Sequence, residues 1–133
     1  MRFDLPTPDD HTQEYWDAAR RGTLLIKRCA ACGRAHSYPR RFCPYCWSED
    51  VSWEAAGGRG TLYTYSVVHQ NDLPPFDERV PYVAAIVELD EGPRVITTLV
   101  DCDLDALRVG MAVEVAFRAV SDEVSIPVFR PVA

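Results

Sequence analysis

From residue 60 onward, apolar and polar positions alternate with a period of two, in five short runs set off by turn residues. "GTLYTYSVVHQ", "YVAAIVELD", "PRVITTLVD", "AVEVAFRAV" and "SIPVFRP" are rich in Val, Ile, Thr, Tyr and Phe, which fit a pleated, half-buried surface. "DEGP" at 90–93 joins two runs as a tight hairpin, and "DCDLDALRVG" at 101–110 allows at most one helical turn before Gly110. Five strands with no helix layer to cover them bury a core most economically by closing into a small barrel. The early hairpin and the short link between the third and fourth strands fit an OB-like order.

The earlier part of the chain follows another pattern. "TPDDHTQEYWDAARRG" predicts a helix of about four turns with both ends marked. Thr7 can cap it, Pro8 takes the first helical position, and Asp9 and Asp10 favour the positive end of the dipole. Arg20 and Arg21 favour the other end, and Gly22 suits the left-handed stop. His11, Tyr15, Ala18 and Ala19 share one face, with Trp16 beside it. So little apolar surface cannot hold a helix alone, so it must pack on the domain or on another subunit. "TLLIKRC" (23–29) and "VSWEAAG" (51–57) read as short strands, and "GGRG" (57–60) breaks the pattern. The expected parts are a helical segment 1–22, a small subdomain 23–57 and a barrel 58–133.

Between the two short strands lies "CAACGRAHSYPRRFCPYCWSED", with four of the chain's five cysteines in two C-x-x-C pairs. Cys29 and Cys32, then ten residues, then Cys43 and Cys46 is the spacing of a four-thiolate metal site. Each two-residue gap lets the backbone loop so that both sulfurs of a pair face one ion. Gly33 stands where such a knuckle needs positive φ. Four thiolates in a tetrahedron select Zn2+ or iron, with structural zinc the favoured reading. Protein ligands fill all four positions, which leaves none for a reactive water. Cys102 stands apart between Asp101 and Asp103, neighbours that disfavour a thiolate.

Charge refines this picture. Residues 20–50 carry seven Lys/Arg against two acids, while the remainder carries seven against eighteen. Only the cysteine segment is basic, and the rest repels a phosphate backbone. A small anionic ligand or an acidic protein surface suits this better than nucleic acid; the alternative of a zinc-ribbon, OB-fold nucleic-acid-binding module ranks second. No apolar run approaches the roughly 20 residues of a membrane span. The acidic, proline-bearing "MRFDLPTPDD" has no apolar signal-like core, and paired cysteines without an export signal point to reduced thiols and a cytoplasmic location.

Catalytic patterns are absent: no Ser-His-Asp order, H-E-x-x-H, P-loop or G-x-G-x-x-G occurs. His11, His36 and His69 are the histidines. His36 or Tyr38 could serve acid–base chemistry only from a loop poorly suited to preorganisation. No catalytic residue is assigned, and the chain reads as non-catalytic on its own.

A helix, then "GTLLIKRCAACGRAHSYPRRFCPYCWSED", then "GGRGTLYTYSVVH", then "LRVGMAVEVAF" in a five-strand tail is an ordered combination. From about Pro8 to Pro131 it resembles the zinc-ribbon plus OB-fold proteins long called a domain of unknown function, which accompany thiolase-like enzymes. The resemblance implies a mainly β fold: an N-terminal helix, a rubredoxin-like four-cysteine zinc ribbon and a five-stranded OB-fold barrel. It implies an accessory or scaffold subunit of a thiolase-superfamily enzyme acting on acyl-CoA thioesters, with a steroid side-chain retro-aldolase as the favoured partner. A hotdog-fold hydratase is a further partner in that setting. On this reading Arg34, Arg40 and Arg41 are candidates for the phosphates of CoA, since guanidinium forks bind such groups. Tyr15, Trp16, Tyr38 and Phe76 are candidates for a partner interface, the last on the long "NDLPPFDERVP" connection.

Overall fold

Asp9 organises a turn ahead of the N-terminal helix, which begins at Gln13 and not beside Thr7, in the computed structural model, which describes residues 5–132. Its carboxylate accepts from the backbone amides of His11 and Thr12 at 2.9 and 3.0 Å, and its own amide donates to the Thr12 hydroxyl at 3.0 Å. These local side-chain bonds hold residues 9–12 as a turn instead of a helical start. The helix α1 (Gln13–Arg20) is therefore 8 residues long, about two turns where the sequence predicts about four. Its end is as expected, with Gly22 at φ +84° and the Thr23 amide bonded to the Ala18 carbonyl at 2.9 Å. Ala18 and Ala19 are buried, and Tyr15 packs against the hydrophobic core, so the apolar face read from the sequence does turn inward.

Three short strands follow: β1 (Leu25–Cys29), β2 (Ala35–His36) and β3 (Val51–Ala55). They form an antiparallel sheet in the order β2-β1-β3. Arg28 on β1 clasps Glu54 on β3 with two bonds of 2.9 Å. The pair is more than a third exposed, so it aligns the strands more than it stabilises them.

The five alternating runs become β4 (Arg59–Val68), β5 (Tyr82–Leu89), β6 (Arg94–Leu99), β7 (Ala112–Ala119) and β8 (Ser125–Pro131). They close into a barrel ordered β4-β5-β6-β8-β7. The closure is antiparallel except where β6 meets β8 in parallel at Leu99 and Phe129. The first strand serves two neighbours, β5 along its length and β7 at its beginning. That sharing explains "GGRG". A Cβ at Gly60 would sit 2.5 Å from the Glu88 carbonyl oxygen, and Gly58, at φ +84°, would meet Val115 at 2.6 Å. Gly60 allows the backbones to approach, and Gly58 allows a left-handed turn against the Val115 side chain.

Leu62, Val83, Val87, Val113 and Phe129 fill the barrel with essentially no exposure. The same hydrophobic cluster extends to Leu24, Ile26 and Ala35, so the three-stranded sheet is seated on the barrel by side chains of its own. No helix among the described residues is long and apolar enough to cross a membrane.

Candidate metal centre and partner face

Two turns of one geometry bring the four cysteines together. In the first, the Cys29 amide donates to the Arg34 carbonyl and the Gly33 amide to the Cys29 carbonyl, both at 2.9 Å. In the second, the Cys43 amide donates to Ser48 and the Trp47 amide to Cys43, both at 2.8 Å. The fifth residue of each turn has positive φ: Gly33 at 79° and Trp47 at 68°. Glycine takes that conformation freely, whereas a side chain there costs about 1–2 kcal/mol. The Trp47 ring lies stacked on Phe42, centroids 5.2 Å apart, and is itself 73% exposed.

The four sulfurs all lie within 4.8 Å of one another. Cys29 and Cys46 are 3.6 Å apart, as are Cys32 and Cys43. Sulfurs placed about 2.3 Å from one ion in a tetrahedron would stand about 3.8 Å apart, whereas a disulfide would need about 2.05 Å. The spacing is that of a tetrathiolate metal site and fits zinc. The Cys32 amide points at the Cys29 sulfur and, with further bonds from the turn, draws that thiol down to about 7. At Cys46 the Ser48 amide pulls downward, but burial and bonds from the other three cysteines push the thiol up to about 12. Four thiolates cannot share so small a space unless a cation offsets their charge, which a bound dication does. Cys102 lies elsewhere, half-buried, its thiol pushed up by burial and by Asp101.

The four aromatic interface candidates converge. Two grooves of about 660 and 250 Å³ adjoin on one side of the molecule. Tyr15 and Trp16 line both; Phe76 lines the larger and Tyr38 the smaller. Tyr15 meets Trp16 edge-on at 4.9 Å, and burial pushes its hydroxyl up to about 12. Phe76 begins a 3-10 turn in the long loop and rests 6.3 Å from the Tyr82 ring, so it is half-buried rather than free. Ile96 borders both grooves and is 73% exposed. The sequence reading missed Ile96, although alternation along β6 places it outward between Val95 and Thr97 and so marked it as an exposed apolar residue.

Each candidate arginine engages a different partner. Arg34 stacks over the Tyr45 ring at 4.9 Å, while the Arg41 Nε donates to the His11 ring, 2.7 Å from Nε2. Arg40 borders a third cavity, of about 430 Å³, between ribbon and barrel. Its backbone carbonyl accepts from Lys27 Nζ at 3.2 Å. His36 is buried in the wall of that cavity, and His69 is exposed just beyond the end of β4.

Ribbon, closed barrel and metal site together define a zinc-ribbon protein carrying an OB-fold barrel. Residues 16–52 match the family described as "ChsH2, rubredoxin-like zinc ribbon domain" and residues 53–118 the family "ChsH2, C-terminal OB-fold domain". The chain belongs to this ChsH2/DUF35 family. A "DUF35 domain-containing scaffold protein" of Methanocaldococcus jannaschii is 39% identical over 101 residues, 75% of this chain and 71% of that protein. A "Probable enoyl-CoA hydratase alpha subunit" of Thermomonospora curvata is 40% identical over 117 residues, 88% of this chain; the match spans only 36% of the subunit's length. Among solved structures, a chain of the "Ltp2-ChsH2(DUF35) aldolase" superposes with a TM-score of 0.83 at 38% identity, covering 96% of this chain and 98% of that one.

Proposed function

We propose that the protein is a non-catalytic accessory subunit that docks onto a thiolase-fold enzyme acting on acyl-CoA thioesters. The partner this reading favours is a retro-aldolase that cleaves a 3-hydroxyacyl-CoA such as a steroid side chain, in the cytoplasm, with a hotdog-fold hydratase as a possible third member. The observation that carries the proposal is the convergence of Tyr15, Trp16, Tyr38 and Phe76 on one grooved apolar face. That face draws residues from the helix, the ribbon and the barrel, and aromatic anchors in such settings supply much of the energy of protein association. The likeness to a chain of a solved aldolase supports it. Metal coordination by four protein thiolates supports a structural role for the ribbon, which holds Tyr38 and the arginine loop in place. The N-terminal segment 1–22, the ribbon 23–57 and the barrel 58–133 would then act as three parts of one docking body. Arg34, Arg40 and Arg41 would accommodate CoA phosphates at its basic edge.

Co-expression with the thiolase-fold aldolase of the same genome tests this. A stable complex on gel filtration is expected, with retro-aldol turnover that depends on this chain. An aldolase equally soluble and active without it would end the proposal.

A further inference from the structure

The barrel is closed least firmly between β6 and β8. Strands β5 and β6 are paired from Val83 with Leu99 to Glu88 with Arg94, whereas β6 and β8 are paired only at Leu99 with Phe129. In an antiparallel ladder alternate residues turn both backbone groups to one neighbour, and the residues between them turn theirs away. The Leu89 amide donates to the Pro93 carbonyl and the Val100 amide to the Phe129 carbonyl, both at 2.8 Å, which sets the parity. Val95, Thr97 and Leu99 face β5, so Arg94, Ile96 and Thr98 turn their N–H and C=O towards β8. On β8 the Val132 amide donates back to Ala112 at 3.1 Å, so Ser125, Pro127 and Phe129 face β6. Proline has no N–H to give, and the parallel ladder stops at Phe129. The Thr97 hydroxyl reaches the Pro127 carbonyl at 3.3 Å; before it along β6, the backbone groups of Arg94 and Ile96 have no strand to pair with.

Open edges are normally blunted by a lysine, a proline or a bulge, because they invite another chain to pair. The open stretch of β6 carries Ile96 instead, 73% exposed. We infer that an extended segment of the partner enzyme lies along this edge and pairs with the backbone of Arg94 and Ile96 as an added strand. The inference rests on the scaffold reading for its partner and adds the form of the contact. The smaller groove lies over the gap, lined by Ile96 and Thr97 from β6 and by Pro127 from β8. Leu24, Val95 and Phe129, all members of the buried core cluster, line it as well, so an apolar side chain of the segment fits there. The next side chain points the other way and lies beside Ile96. At about 250 Å³ the groove falls below the roughly 300–1,000 Å³ of small-molecule pockets, which suits one or two side chains on a backbone better than a free ligand. It is continuous with the docking face, since Tyr15, Trp16 and Ile96 border the larger groove too. A helix could not use the edge, because its backbone groups are bonded within it, whereas main-chain bonds are what an added strand contributes.

The test is residue-resolved hydrogen–deuterium exchange on the full-length, zinc-loaded protein, alone and with the thiolase-fold aldolase of the same genome. In the free protein the Arg94 and Ile96 amides should exchange fast and those of Val95 and Thr97 slowly. The aldolase should slow the first two about ten-fold or more and leave the other two unchanged. Ile96→Pro removes the edge N–H without removing a bond to β5, and Ile96→Ala removes only the side chain. The proline variant should bind the aldolase about ten-fold or more weaker than the alanine variant. Should Ile96→Pro not fold, the exchange pattern of the wild type decides alone. A complex in which the Ile96 amide stays fast, or equal losses in the two variants, overturns the added strand and leaves the scaffold reading standing. Absence of any complex overturns both. Slowing of Arg94 and Ile96 that grows with protein concentration, without aldolase, would place a second copy on the edge and overturn the partner's segment.

Discussion

The ribbon and the barrel are held by different physics. The barrel closes its hydrogen-bond ladder on itself and packs Leu62, Val83, Val87, Val113 and Phe129 out of reach of water. The ribbon sends only Leu24, Ile26 and Ala35 into that core and otherwise converges on four sulfurs. Tyr38, Tyr45 and Trp47, each more than half exposed, stand on its surface. A metal-held loop does not need its large aromatics for a core of its own, so they remain available for contact. A barrel of this size has no such freedom, because its apolar side chains are what keep it closed.

Removing the metal should separate the two regions most sharply. With a zinc chelator, or in Cys43→Ser, amide exchange across residues 29–50 should rise to nearly unprotected rates while β5 and β7 stay protected. Loss of the barrel at the same chelator concentration would show that the two regions are one folding unit. The converse change is Phe129→Ala. It empties a fully buried site beside the parallel contact and should cost about 3–5 kcal/mol in urea unfolding. The ribbon should be weakened with it, since its seat is the same cluster.

The two cysteine turns provide a subtler contrast. Gly33→Ala places a side chain at φ 79° and should cost about 1 kcal/mol. Trp47→Gly relieves a comparable strain but loses stacking on Phe42, worth about 0.5–1.5 kcal/mol, so its net effect should fall near zero. Thermal unfolding of the zinc-loaded variants would read the asymmetry. Tyr15, at the seam between helix and core, acts only at alkaline pH and contributes no difference near neutrality. Burial, then Tyr38, raises its hydroxyl from 10.0 to about 12, so the folded chain holds that proton more tightly than the unfolded one. Its contribution is complete below pH 10 and lost as pH rises through 12, at most about 2–3 kcal/mol. Stability measured across that window should fall less steeply in Tyr15→Phe.

Periodicity carried the barrel because each strand faces core on one side and water on the other, and C-x-x-C spacing carried the metal centre because the ligands are local. The helix start was misplaced because Asp9 and Thr12 bond to each other, and β2 was missed because two residues leave no pattern. The grooves depend on residues far apart in the chain coming to border one space, such as Tyr38 and Ile96 at the smaller groove. Those pairings come from barrel closure and from the seating of the ribbon, not from any local run.

Hydrogen–deuterium exchange on this protein, alone and mixed with the thiolase-fold enzyme proposed as its partner, tests the docking face most directly. Protection on binding is expected in residues 13–20, 37–42 and 73–82 and at Ile96, with the barrel strands away from the grooves unchanged. Protection confined to β4 and β7, with Tyr15, Trp16 and Phe76 exchanging as before, would contradict it.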